Sequence, residues 1–283
     1  METVSTCSLV GDRAAQGKRQ GWCDQMGLSM AVAESWVERW ERQQRRYAID
    51  REERFTVIAD VVEYVTAGQR RPLVVDLGCG PGSLAARLAD RLPRAEVVGV
   101  DMDPLLLELA RTHHSSAARY VDAVIGADGW IEAMALGRPL DAAVSTTALH
   151  YLPEPVLRRT YAQLAALLRP GGALVNGDHL PQPGAVAGAL AAHVGRRRAE
   201  RQRDGDHEDW ASWWAAVASE PELAESLAER RRRLSAPVTG ADDGGADNGL
   251  SVSDHAALLR AAGFAHVVPV WQFGDSCVLV AIR

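Results

Sequence analysis

From Leu73 onward two hydrophobic periods alternate along the chain. "LVVDLG", "AEVVGVDMD", "YVDAVIGAD", "LDAAVSTTAL" and "GALVNGD" are short, nearly continuous apolar runs, as expected of strands buried on both faces. Between them the spacing becomes helical. "SLAARLADRL" carries Leu84, Leu88 and Leu92 on one face, and "PLLLELART" opens on Pro104, a residue favoured at the first helical position. "PVLRRTYAQLAALLRPGG" predicts a helix closed by its glycines. Strands alternating with helices predict an α/β fold, a parallel sheet covered on both sides. Two further helices precede it. "ESWVERWERQQRRY" sets Trp36, Val37 and Trp40 on one face. "REERFTVIADVVEYVTAG" aligns Phe55, Ile58, Ala59, Val62 and Val65 ahead of a stop at Gly68.

The pattern breaks at residue 180. The segment to 250 is rich in Ala, Arg and Trp, reads as mostly helical, and finishes in the turn-forming "TGADDGGADNG". Then "SDHAALLRAAGF" predicts a helix closed by Gly263, and "HVVPVWQF" and "SCVLVAIR", separated by "GD", predict a β-hairpin. Four parts follow: a polar, poorly ordered segment over 1–30; N-terminal helices and α/β core over 31–179; a helical lid insertion over 180–250; and a helix and hairpin over 251–283 that complete the core.

Composition narrows the class. The 283 residues are 47% hydrophobic and 24% charged, ordinary for a soluble globular protein, with a formal net charge of -6 that argues against general affinity for nucleic acid or anionic membrane. No apolar run reaches the roughly 20 residues of a membrane span, and the N-terminus lacks the apolar centre of a secretory signal. The 4 cysteines follow neither a metal-ligand nor a disulfide spacing. A reduced, cytoplasmic protein without a structural metal is expected.

The candidate chemistry starts at "VVDLGCGPG". Its glycines, Gly78, Gly80 and Gly82, stand at alternate positions with Pro81 between them. A dinucleotide fingerprint would space them GxGxxG, and a phosphate-binding P-loop would continue Gly-Lys-Ser/Thr, so neither fits.

The surroundings resemble the class I S-adenosylmethionine-dependent methyltransferases. "VVDLGCGPG" is similar to that family's first motif, "VVGVDMDPLLLELAR" to its second strand and helix, "GADGW" to its acidic position near the adenine, "LRPGGALV" to its fifth-strand entry, and "AALLRAAGF" with "VVPVW" to its closing helix and hairpin. The likeness covers roughly residues 50–180 and 250–283. It implies a Rossmann-like sheet of seven strands, mostly parallel, in the order 3-2-1-4-5-7-6, and S-adenosyl-L-methionine as cofactor. It also implies roles. Gly78, Gly80 and Gly82 admit close backbone approach; Asp76 meets the methionyl amino group; Asp101 accepts from the ribose hydroxyls; Met102 lies on the adenine; Asp128 accepts from the adenine amino group. Trp130 is a stacking candidate or a core residue, and Asp103 reads as a helix N-cap.

Methyl transfer from a sulfonium needs a general base only where the acceptor must lose a proton. His150 and His179, after the fourth and fifth strands, are the candidates, with Asp178 positioned in sequence to orient His179. Trp210, Trp213 and Trp214 share a helical face; they either glue the lid down or, with Trp36, Trp40 and Tyr47, wall a pocket for a small-molecule acceptor. The arginine runs "GRRRAERQR" and "ERRRRL" read as solvated faces, or as contacts to an acidic substrate or RNA. A small-molecule methyltransferase is the reading; a non-catalytic or non-methylating cofactor-binding protein and a tRNA or rRNA methyltransferase are the alternatives.

Overall fold

The computed structural model describes residues 27–48, 50–202, 208–235 and 247–283. Strand β1 (Leu73–Leu77) is buried along its whole length, with Leu73, Val75 and Leu77 in one apolar cluster and Val74 in another on the opposite face. That division is the period of two, with helices waiting on both sides. Strands β2 (Glu96–Asp101), β3 (Arg119–Asp122), β4 (Leu140–Thr146) and β5 (Leu168–His179) run parallel with it, joined by helices. Strand β7 (Ser276–Ile282) pairs antiparallel to both β5 and β6 (His266–Phe273). The seven-stranded order is β3-β2-β1-β4-β5-β7-β6, the order the family resemblance implied.

Helices α1 (Met30–Gln44) and α2 (Arg51–Thr66) precede the sheet. Phe55, Ile58, Ala59, Val62 and Val65 of α2 are all buried, and they pack with α3 (Ser83–Arg91) on the face that Val74 joins. Helix α4 (Pro104–His113) follows β2; Asp103 caps it, its Oδ1 accepting from the Leu105 and Leu106 amides. The short α5 (Trp130–Ala133), α6 (Glu154–Leu167) and α10 (Val252–Ala261) cover the other face.

The 180–250 segment contributes α7 (Ala185–Arg201), α8 (Trp210–Val217) and α9 (Ala224–Ser235). Helix α7 buries none of its residues. Helices α8 and α9 form a third cluster with α1 and α4, away from the sheet. The poorly ordered segment expected over 1–30 lies, up to residue 26, outside the described residues, as does most of "TGADDGGADNG". Among the described residues no helix is long and apolar enough to cross a membrane.

Two boundaries differ from the pattern reading. The third strand stops at Asp122, because the chain turns at once, the Ala127 amide donating to the Val124 carbonyl at 3.0 Å. The fifth begins at Leu168 and absorbs "RPGG", with a register shift in its pairing to β4 between Leu140 and Ala142.

Candidate active site

A cavity of about 1240 Å³ opens at the C-terminal ends of β1, β2, β4 and β5, where open α/β sheets bind ligands. Its floor is the glycine loop. The Gly78 and Cys79 amides both donate to the Val100 carbonyl, at 2.8 and 3.0 Å, tying the loop to β2. Gly78 has φ +72°, and a Cβ there would lie 2.3 Å from the Ala148 Cβ. The Gly80 amide donates to Asp101 Oδ2 at 2.7 Å. Gly82 caps α3 at φ +89°, and a Cβ on it would meet the Tyr120 hydroxyl at 2.6 Å. Gly78 and Gly80 line the cavity; Gly82 does not, and serves the turn into α3.

Two acids lie beneath and beside the loop. Asp101 reaches the cavity, its Oδ1 accepting from the Asp103 amide at 2.9 Å. Burial pushes its carboxyl up to about 6, against the pull of those backbone donors. Asp76 is fully buried beneath the loop and, contrary to the expectation of a cofactor contact, does not line the cavity; neither oxygen has a hydrogen-bond partner of ordinary geometry. Burial, then the charge of Asp101, pushes it up to about 7, the Ala85 amide opposing only in part. A buried acid without a donor is costly unless a cationic or N–H group of a ligand reaches it. The bare loop and the Asp101 carboxylate at the cavity wall fit a ligand that brings hydroxyl groups, as S-adenosylmethionine does. Met102 lines the same wall.

Two expected cofactor contacts are elsewhere. Asp128 is exposed and outside the cavity, because the early turn after β3 gives the wall to Ala123–Ala127 instead. Trp130 is 2% exposed in the core, its indole N–H donating to Gln163 Oε1 at 2.9 Å. An indole with its polar edge satisfied inside has no reason to face a ligand.

At the other end, His150 stands on a short 3-10 turn (Leu149–Tyr151) after β4. Its Nδ1 lies 2.6 Å from Oδ1 of the fully buried Asp178. Burial draws the imidazole down, but the Asp178 hydrogen bond and charge outweigh it and raise its affinity for a proton. The same contacts, reinforced by Arg54, hold Asp178 below the usual carboxylate range against its own desolvation. Asn248 pins the turn, its backbone amide donating to the His150 carbonyl at 2.8 Å and its side chain to the Leu152 carbonyl at 3.0 Å.

Asp178 thus partners His150, not His179. Neighbouring strand residues point to opposite faces; Asp178 turns inward, while His179 opens to the cavity with its Nδ1 3.9 Å from Asp275 Oδ1. The signal was available in the strand order: β4 and β5 are parallel neighbours, with Thr146 opposite Gly177, so a turn leaving β4 passes over Asp178. Asn248 and Arg54 gave no sequence signal.

Of the aromatic residues expected to wall an acceptor pocket, Tyr47, Trp210 and Trp40 line the cavity, and the Tyr47 hydroxyl accepts from the Trp210 amide at 3.0 Å. Trp36, Trp213 and Trp214 do not. Trp213 is fully buried between Trp36 and Trp40, with ring centroids at 5.6 and 5.1 Å, and Trp214 carries the Arg230 guanidinium 3.7 Å above its ring. They are the glue of the third cluster, edge-to-face rings that stabilise each other once dry. The "ERRRRL" run also makes internal contacts. Arg230 donates to Asp103 Oδ2 at 2.6 Å, and Arg233 to both Asp122 oxygens at 2.7 and 2.8 Å, fastening α9 to the ends of β2 and β3. Among the described residues no group of three or more His, Cys, Asp or Glu side chains is set to hold a metal ion.

Similarity to known proteins agrees with this geometry. Residues 74–172 match the family described as "Methyltransferase domain". The chain is 35% identical over 132 residues to a trans-aconitate 2-methyltransferase of Methylobacterium radiotolerans, covering 44% of this chain and 47% of that protein. It is 32% identical over 110 residues to a malonyl-[acyl-carrier protein] O-methyltransferase of Hahella chejuensis, covering 38% and 37%. The matches thus span under half the length of these relatives. Among solved structures, an O-methyltransferase family protein from Burkholderia thailandensis superposes with a TM-score of 0.50 at 19% identity, covering 96% of this chain and 69% of that one, a likeness of fold. Glycine loop, paired acids, strand order and sequence matches agree: residues 74–172 are a methyltransferase domain of the class I, S-adenosylmethionine-dependent family.

Proposed function

We propose that this protein methylates a hydroxyl group of a small-molecule acceptor, with His150 as general base. The observation that carries the reading is the His150–Asp178 pair at the cavity wall. A carboxylate only accepts hydrogen bonds, so Asp178 keeps a proton on Nδ1 and leaves Nε2 as the ring's acceptor. When bound, S-adenosylmethionine supplies an electrophilic methyl group on a sulfonium. Asp101 and Gly80 would hold its ribose side, and Met102 with Ala123–Ala127 its adenine. His150 Nε2 would take the acceptor hydroxyl's proton as the oxygen receives the methyl group and the methyl carbon–sulfur bond breaks, the pair of electrons leaving with the sulfur as a neutral thioether, and Asp178 would stabilise the imidazolium that results.

The cavity exceeds the range of about 300–1,000 Å³ that holds one drug-sized ligand, so cofactor and acceptor have room together. Tyr47, Trp40 and Trp210 offer the acceptor a half-apolar wall. Helix α7 contributes Gly195, Arg196 and Arg198 to the rim while burying no residue of its own, which suits a lid. The relatives' names favour a second reading, ester formation on a carboxylate, whose oxygen already carries its electron pair and needs no base.

The test is two-stage. Calorimetry with S-adenosylhomocysteine, and NAD as control, should give saturable one-to-one binding of the former alone. His150→Gln should then bind it with wild-type affinity and lose turnover on a hydroxyl acceptor. Full turnover by that variant would favour the carboxylate reading.

A further inference from the structure

The turn that carries His150 begins under strain. Thr147, which follows β4, has φ +50°, a left-handed backbone that a β-branched residue adopts only when its surroundings impose it. Contacts on three sides impose it. The Thr147 amide donates to the Gly177 carbonyl at 3.0 Å, Ala148 abuts Gly78 of the glycine loop, and Asn248 holds the far end. The turn's own bonds run from the Tyr151 and Leu152 amides to the Ala148 and Leu149 carbonyls, at 3.2 Å each. The His150 and Leu152 carbonyls are left over, and Pro153 and Pro155, which follow, bring no N–H to them. Asn248 serves both. Its amide donates to the His150 carbonyl at 2.8 Å, and its Nδ2 to the Leu152 carbonyl at 3.0 Å and, less closely, to that of Leu149 at 3.4 Å.

We propose that Asn248 is a positioning residue for the transfer, the clamp that keeps the His150 ring seated on Asp178 and turned to the acceptor. It rests on the reading of His150 as base, and it adds a residue from outside the stretch that matches the methyltransferase domain. A base acts only within hydrogen-bond reach of the proton it removes, so a ring on a fraying turn loses rate without losing ligand. Asp178 fixes the ring at one point, Nδ1. The backbone that carries the ring needs a second, and among the described residues Asn248 is the one outside the turn that bonds the His150 main chain.

The clamp is itself fixed. Asn248 Oδ1 accepts from the Leu250 amide at 3.0 Å, and Asp247 Oδ1 from the Gly249 amide at 2.9 Å. The Val252 amide then ties the segment to the Pro181 carbonyl at 3.1 Å, just past β5, and Ser251 opens α10 with a capping box to Asp254. A strand end and a capped helix therefore hold the residue that holds the base. Asparagine suits the place. Aspartate has its shape but no donors, and serine has one donor for two carbonyls.

The experiment has two readouts. The proton between His150 Nδ1 and Asp178 should give a far-downfield NMR signal in the full-length protein, assigned by its loss in His150→Gln. Asn248→Asp and Asn248→Ser should broaden or lose it, while Trp213→Phe, in the third apolar cluster, should keep it. Turnover on a hydroxyl acceptor should fall roughly 10- to 100-fold in Asn248→Asp, as for a displaced catalytic group, with S-adenosylhomocysteine affinity unchanged. Added to His150→Gln, the same substitution should cost nothing further, because the two act through one ring. An intact signal in both Asn248 variants, or an equal loss of turnover in the two backgrounds, overturns the proposal. Should neither variant fold, the wild-type protein still decides: Asn248 side-chain amide protons that exchange as fast as those of an exposed asparagine overturn it, and protected ones support it. A fully active His150→Gln removes the base, and Asn248's role in the transfer with it. An inactive His150→Gln beside an intact signal in the Asn248 variants removes Asn248's role alone.

Discussion

Gly78 and Gly80 stand two residues apart, both with positive φ, and alanine at the two positions should fail in different ways. At Gly78 two costs combine. Left-handed backbone costs an alanine about 1–2 kcal/mol, and a Cβ 2.3 Å from that of Ala148 is a contact between two short groups that cannot swing aside. Overpacking of this kind costs about 1–3 kcal/mol. Gly78→Ala should therefore lose about 2–5 kcal/mol of stability, a fall in Tm of roughly 4–15 °C for a chain of this size. At Gly80 the φ of +53° carries the first cost alone, because the nearest atom to an added Cβ is Trp40 Cζ2 at 3.9 Å. That Cβ would occupy the cavity where the cofactor is proposed to approach. Gly80→Ala should melt only a few degrees below wild type yet bind S-adenosylhomocysteine more weakly by tenfold or more, about 1.4 kcal/mol. Differential scanning calorimetry reads the first quantity and titration calorimetry the second. A Gly78→Ala protein with wild-type Tm, or a Gly80→Ala protein with wild-type affinity, would refute the corresponding step.

Asp101→Ala should weaken S-adenosylhomocysteine by about 1.5–3 kcal/mol, the range for hydrogen bonds to a charged group; unchanged affinity in a folded variant removes Asp101 from the site. Because burial raises the Asp76 carboxyl to about 7, ionising it costs the ligand-free fold, a penalty that grows from its unfolded value near 4 up to pH 7 and is absent in acid. Asp76→Asn should accordingly raise Tm at pH 8 and leave it unchanged at pH 3; an equal effect at both pH values contradicts the account. His150→Gln should lower turnover on a hydroxyl acceptor by about 10²–10⁴-fold, the usual weight of a general base, without altering cofactor affinity. Trp213→Ala should cost about 3–5 kcal/mol of stability and leave KM for the acceptor unchanged in the folded fraction; a raised KM at wild-type stability would return Trp213 to the pocket.

Local pattern determined much of this protein. Apolar runs and helical spacings marked the strands and helices because each element must bury a stripe or a face, and that requirement is written into neighbouring residues. The alternate glycines and the acids of "VVDLGCGPG" and "VVGVD" were legible for the same reason: loop, strand end and acid are adjacent in the chain, and the fold only brings Asp101 to Gly80 across one parallel pairing. The boundary of β3 was less legible, since a turn at Val124–Ala127 leaves the apolar pattern intact while removing Asp128 from the wall.

Tertiary structure decided the rest. Trp36, Trp40, Trp210, Trp213 and Trp214 carry the same side chain, and only the packing of α1 against α8 settles which rings meet each other and which reach the cavity. Asp178 is adjacent to His179 in sequence but bonded to His150, twenty-eight residues away, because strand alternation turns neighbours apart while parallel pairing brings distant turns together. Arg54, on a helix before the sheet, reads as one polar residue in an amphipathic pattern. Its burial against β5 depends on a bare glycine, Gly177, in a strand more than a hundred residues later, and a close approach of that kind leaves no periodic trace in a sequence.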